Sequence, residues 1–193
     1  LKTVREKLFR YRSYTPLPFL VVMFVFAKPT DLTIILGAVC ALLGEAIRFW
    51  GVAYAGSLTR VTGSVGAPEV IVAGPFAYVR NPLYVGNILL YIGIGVMSNA
   101  LFPWLLVVAS VYFVFQYSLI VSLEEEFLEE EFGAAYLEFK KQVPRFLPRL
   151  VPYRHQTQEH QRPNWSEALK SERRTLQAFA LVSLILLILW QWN

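Results

Sequence analysis

Apolar residues in this chain come in long runs separated by short polar joints, and each run is a candidate membrane span. A bilayer core is about 30 Å thick, so a helix needs roughly 20 mostly apolar residues to cross it. Five runs approach that length: 14–27, 32–54, 83–97, 101–121 and 176–190. The first is short and begins with Pro16 and Pro18. It closes on the polar turn Lys28-Pro29-Thr30-Asp31 rather than on a small-residue cleavage site, so it reads as a span and not as a signal peptide. Ser98-Asn99 is a tight joint that predicts an antiparallel helical hairpin from the third and fourth runs. The last run ends in Trp190 and Trp192, which suit a membrane interface. The pattern predicts an all-α, polytopic integral-membrane domain over residues 1–193, with about five transmembrane helices and no internal repeat.

Composition agrees. The chain is 55% apolar and only 17% charged, against roughly 45–50% and 25% in soluble domains. An aromatic content of 15% excludes a disordered chain. One cysteine, Cys40, excludes an internal disulfide, and with two histidines little is left for a metal site.

Charge predicts the orientation. Sixteen of the 18 Lys and Arg residues fall in the N-terminal stretch, in segment 55–82 and in segment 122–175. Only Lys28 faces the other side, and Arg48 lies within the second run. The positive-inside rule puts the heavily basic side in the cytosol, with the N-terminus and the active site there and the C-terminus opposite. Because these basic residues flank spans, the net charge of +4 points to membrane lipids and not to nucleic acid.

Polar chemistry is concentrated in four places. Glu45 and Arg48 sit three residues apart inside the second run. They form either a self-neutralising pair near the cytosolic end or part of a site. Asn81-Pro82 predicts a helix start, with Asn as N-cap and Pro in the first turn. Arg80 then lies beside the free backbone N–H groups of that helix, where anions bind, and Tyr84 and Asn87 follow on nearby faces.

After the fourth run come Glu124, Glu125 and Glu126. Ser122-x-x-Glu125 fits a capping box, which would start a new helix. At about 100° per residue, Glu124 falls between Phe127 and Leu128, and Glu125 near Phe132 and Tyr136. Both therefore border an inward apolar face, while Glu126 and Glu130 point away. The prolines of Val143-Pro144-Arg145-Phe146-Leu147-Pro148 end the following helix, and they can turn Arg145 back toward the glutamates.

Together these stretches resemble the isoprenylcysteine carboxyl methyltransferases and the wider group of small membrane methyltransferases that includes phospholipid N-methyltransferases. The resemblance covers about residues 55–150. It rests on Gly74-Pro75, Arg80-Asn81-Pro82-Leu83-Tyr84-Val85-Gly86, Glu124-Glu125, Phe132-Gly133-Ala134-Ala135-Tyr136 and Pro144-Arg145-Phe146-Leu147-Pro148, in that order. The isoprenylcysteine enzymes usually carry His where this chain has Asn81, so a prenylcysteine substrate does not carry over.

The resemblance implies an integral-membrane enzyme that uses S-adenosylmethionine. Its cytosol-facing pocket would be built from the segment before the third span and the helix after the fourth. Gly74, Tyr78, Arg80, Asn81, Tyr84 and Glu124 are implied to bind the cofactor. Glu125 and Arg145 are implied to act in catalysis, on a hydrophobic or lipid-like acceptor. A non-catalytic membrane protein and a nicotinamide-dependent membrane reductase are the rival readings. The sequence assigns residues 151–193 no role beyond anchoring.

Overall fold

The computed structural model describes residues 2–56 and 69–192. Arg60 and the rest of residues 57–68, within the segment expected to join the second and third spans, lie outside the described residues. Seven helices follow one another: α1 (Lys2–Tyr11), α2 (Leu17–Val25), α3 (Asp31–Ala55), α4 (Pro82–Ser98), α5 (Trp104–Phe132), α6 (Ala134–Gln142) and α7 (Trp165–Trp192). Single 3₁₀ turns occupy Gly74–Ala77 and Gln156–Glu159. No strand occurs among the described residues.

Three helices, α3, α5 and α7, are long and apolar enough to cross a membrane. At 1.5 Å per residue they rise about 37, 43 and 42 Å. The apolar helix α4 has 17 residues, which is about 25 Å.

The first expected span is where pattern and structure part. Residues 14–27 give only α2, nine residues long, with Pro at its start. Its rise of about 13 Å is under half a bilayer core. The chain nonetheless passes from one end of the molecule to the other between α1 and α3. Arg5 pairs with Glu126 at one end, and the Lys28 N–H donates to the Ser98 carbonyl at the other.

Other contacts sort the remaining segments between the same two ends. Residues 70–82 and 143–164 share the end that holds Glu126. At the far end the Trp190 indole donates to Asp31, and the Asn99 amide donates to the Lys28 carbonyl. The α4–α5 hairpin forms as expected, with Asn99 in the left-handed region at the α4 C-cap.

Two further expectations fail for local reasons. Asn81 stands at the α4 N-cap, but its side chain makes no capping bond. Its amide donates instead to the Arg145 carbonyl at 3.2 Å. The Ser122 capping box does not form either, because α5 runs unbroken through it. There the Ser122 hydroxyl donates back to the Ser118 carbonyl at 2.8 Å. In a helix interior every backbone N–H already has a partner one turn earlier, so a cap has nothing to satisfy.

The closest helix packing is between α3 and α4, and glycines set it. Gly37, Gly44 and Gly51 recur every seven residues on α3; Gly37 and Gly44 stand against Gly93 and Gly86 of α4, and Gly51 against Leu83 and Pro82. A methyl at Gly44 would stand 2.6 Å from the Gly86 carbonyl oxygen, and one at Gly93 would stand 2.6 Å from the Gly37 carbonyl oxygen. In lipid, where the hydrophobic effect does not drive helices together, such small-residue contact is what lets two backbones approach. Met23, Ala41, Leu90, Ile94 and Leu186 close the core where α2, α3, α4 and α7 meet. A second, aromatic cluster of Phe9, Phe113 and Tyr117 ties α1 to α5.

Candidate active site

Residues 70–82 have little regular structure of their own, and segment 143–164 holds them in place. The Arg80 N–H donates to the Pro144 carbonyl, the Arg149 N–H to Tyr78 and the Tyr153 N–H to Ala77, at 2.8–2.9 Å. The buried Gln161 side chain acts as a surrogate strand. Its oxygen accepts from the Val72 and Ala73 N–H groups at 2.9 and 3.0 Å, and its amide donates to the Val70 carbonyl at 2.9 Å. Gly74, at φ +60°, makes the turn that follows, and a side chain there would run into the Tyr54 ring. These bonds present Arg80 to the end of α5.

There Glu125 is 2% exposed, turned inward as the helical wheel predicts, while Glu126 and Glu130 are exposed. One Glu125 oxygen takes Nε and Nη2 of Arg80 at 3.0 and 2.9 Å. The other takes Nη2 of Arg145. Arg80 also donates to the Lys140 and Val143 carbonyls, which close the end of α6. Arg145 donates to Ser122 at 3.3 Å. The segment does fold Arg145 back, and the glutamate it reaches is Glu125. Arg80 is not an open anion site at the α4 N-terminus, because its guanidinium is already held by Glu125.

Next to this clamp opens a cavity of about 950 Å³, toward the upper end of the usual range for small-molecule sites. Arg80, Asn81, Tyr84, Glu124 and Glu125 line its polar end, with Phe76, Leu128 and Phe139 as apolar wall. The Tyr84 hydroxyl donates to Glu124 at 2.6 Å. Burial pushes the phenol of Tyr136, also on the wall, well above its ordinary range, and the nearby Glu125 carboxylate adds to the shift. Tyr136 is therefore a neutral hydrogen-bonding group at physiological pH.

Toward the helix core the cavity is lined by Leu20, Met23, Leu90, Ile94, Phe179 and Val182, and by a polar group built on Arg48. Arg48 and Glu45 are not a self-sufficient pair. Their separation is 3.5 Å, whereas Glu172 of α7 lies 2.8 Å from Arg48, and Asn87 of α4 accepts from it as well.

Six of the eight expected site residues thus come together: Arg80, Asn81, Tyr84, Glu124, Glu125 and Arg145. Gly74 and Tyr78 do not join them. They line a separate pocket of about 390 Å³ with Trp50, Tyr153, Arg154 and Arg162. Several neighbours escaped the sequence reading. Arg12, on the turn between α1 and α2, and Glu172 both line the main cavity. Glu172 had one sequence signal, a lone carboxylate four residues before an apolar run. Gln161 had none.

Comparison with known proteins places the chain in a family. The chain is 27% identical over 147 residues to the cobalt-zinc-cadmium resistance protein CzcN of Cupriavidus metallidurans, covering 76% of this chain and 61% of that protein. It is 27% identical over 89 residues to the nickel-cobalt-cadmium resistance protein NccN of Alcaligenes xylosoxydans xylosoxydans, covering 46% and 40%. The chain therefore spans less than two thirds of either relative. No solved structure matches it. The phospholipid methyltransferase family matches residues 32–135, from the start of α3 through the glutamates at the end of α5. With more than half of its length inside that match, the chain belongs to the phospholipid methyltransferase family of membrane proteins.

Proposed function

We propose that the protein transfers a methyl group from S-adenosylmethionine to a hydrophobic or lipid-like acceptor drawn from the membrane. The observation that carries this reading is the two-ended cavity. One end is polar and charged, and the other, apart from the Arg48 cluster, is apolar and lies among helices long enough to cross a bilayer.

The polar end fits the cofactor. S-adenosylmethionine combines a sulfonium, an ammonium, a carboxylate and an aromatic base. Glu124 and the ring of Tyr84 suit its cationic groups. Arg12 and Asn81, which line the cavity beside the clamped Arg80, suit its carboxylate. Phe76, Leu128 and Phe139 suit the base. Asn81, Tyr84 and Glu124 are the residues we assign to direct contact with it, with Arg80 fixed beside them by Glu125 as the charged wall, and Gly74 and Tyr78 shaping the turn that presents Arg80. When bound, the cofactor supplies an already activated methyl group.

The protein is left to position two reactants and exclude water. In this reading Glu125 and Arg145 stand at the reacting end, where Glu125 holds both arginines in place and orients the acceptor. Leu90, Ile94, Phe179 and Val182 receive the acceptor's apolar part, and the Arg48 cluster meets its polar part. In this reading the clamp faces the cytosol, with the N-terminus on the same side and the C-terminus opposite, which the distribution of basic residues supports. The relatives are named for resistance to cobalt, zinc, cadmium and nickel, and modification of the surrounding membrane is the contribution we propose in such a setting.

The test is calorimetric titration of S-adenosylmethionine and its demethylated product into detergent-purified protein, with Glu124→Gln as control. Arg80→Ala is a poor control, since it dismantles the clamp. Saturable binding that weakens about tenfold in Glu124→Gln, the scale of a lost charged hydrogen bond, supports the reading. Absence of binding to protein that retains its helical circular dichroism overturns it in favour of the nicotinamide-dependent or non-catalytic alternatives.

A further inference from the structure

Three of the most exposed apolar residues outside the long helices lie within five positions of one another. Leu147 is 81% exposed, Leu150 97% and Val151 64%. Their loop is not slack. Phe146 packs inward on the cluster of Phe9, Phe113 and Tyr117, and the backbone is pinned at Arg149 and Tyr153 to Tyr78 and Ala77. The loop therefore displays these side chains from a fixed frame.

Its level relative to the bilayer follows from α3. Asp31, bonded to Trp190, marks the far end of that helix. Trp50 lies nineteen residues further along, a rise of about 28 Å, which is one bilayer core. Leu32, Ile35, Leu36, Val39 and Leu43 make the exposed apolar stripe between them. Trp50, 37% exposed, thus stands at the second interface, where Trp is enriched. The Tyr78 ring packs 6.2 Å from Trp50, and the carbonyl of the same Tyr78 accepts from Arg149. The loop is therefore tied to the interfacial ring of α3. Arg149 and the exposed Arg154 flank its apolar tip, and basic residues around an apolar tip are complementary to lipid phosphates.

We propose that residues 147–151 form a membrane-interface anchor. Leu147, Leu150 and Val151 enter the acyl–headgroup boundary, and Arg149 and Arg154 lie at the level of the phosphates. The anchor holds the segment that delivers Arg145 to Glu125, so contact with lipid and completion of the clamp are coupled. This inference is independent of the methyl-transfer reading, and its test uses no cofactor.

The test places a nitroxide at Leu150→Cys in a Cys40→Ser background, with the protein in vesicles of phosphatidylcholine and phosphatidylglycerol. Labels at Leu43→Cys and at the exposed Glu131→Cys near the end of α5 serve as lipid and water references. The expected result is a ratio of oxygen to nickel-chelate accessibility several-fold above the Glu131 label and approaching the Leu43 label. A ratio equal to that of the Glu131 label overturns the anchor. For the coupling, Leu147→Asp/Leu150→Asp should raise amide exchange at Arg149 at least tenfold in the same vesicles. Unchanged exchange overturns that half of the proposal. Neither side chain is packed inside the protein, so misfolding does not account for the effect.

Discussion

Arg80 grips a single oxygen of Glu125 with two of its nitrogens, and leaves the other oxygen to Arg145. The two arginines are not equivalent. The Arg80 side chain is 8% exposed and that of Arg145 34%. Removing one partner of a buried pair strands the other charge away from water. Arg80→Met should therefore cost about 3–5 kcal/mol, and Arg145→Met about 1 kcal/mol or less. Thermal unfolding of the two purified variants in one detergent checks the order.

The Arg48 cluster gives a second prediction. Arg48→Leu removes the guanidinium from two buried carboxylates, Glu45 and Glu172, and should destabilise the bundle by about 3–5 kcal/mol. Adding Glu172→Leu to Arg48→Leu should restore part of that loss. A double-mutant cycle measured by thermal unfolding reads the coupling. Strict additivity would mean that α3 and α7 do not communicate through this pair.

The glycine ladder predicts a graded response. Gly93→Ala drives a methyl into the α3 backbone, which cannot move aside, and should cost about 2 kcal/mol or more. Gly51→Ala meets side chains alone, Leu83 at 3.2 Å and the Pro82 ring at 3.6 Å, which can give way, and should cost clearly less than Gly93→Ala. Melting temperatures of the two variants in one detergent decide the point.

Gln161 joins its segment to the cavity wall through three hydrogen bonds. Gln161→Leu should free the amides of Val72 and Ala73 and raise their exchange at least tenfold, while amides in the middle of α3 are unaffected. Hydrogen exchange followed by mass spectrometry checks this. If S-adenosylmethionine binding weakens in the same variant, residues 70–73 belong to the cofactor's wall.

What the sequence revealed, and what it hid, divides along the range of the interactions. The inward turn of Glu125 was legible because a helical wheel depends only on residues a few positions away. The return of Arg145 was legible because prolines stop a helix locally. The partner of Arg48 was hidden, since Glu172 lies 124 positions away and nothing local marks the pairing. The end of the fourth apolar run at Val121 looked like the end of a helix. It marks instead a change in the chain's composition from apolar to acidic, and α5 continues to Phe132. The length of the first helix was hidden for a similar reason: hydropathy counted the whole of 14–27, while backbone chemistry lets α2 begin only at Leu17 and end at Val25.

The 124-residue separation of Arg48 and Glu172 also bears on biogenesis. At a synthesis rate of about 5–20 residues per second, α3 emerges some 6–25 seconds before its partner on α7 exists. During that interval the nascent helix carries a guanidinium into a low-dielectric environment. Glu45, one turn away on the same helix, travels with it and is on hand from the start. Asn87 follows with α4, and Glu172 completes the set last. The 3.5 Å pairing with Glu45 is one that α3 can make by itself, before any later helix arrives.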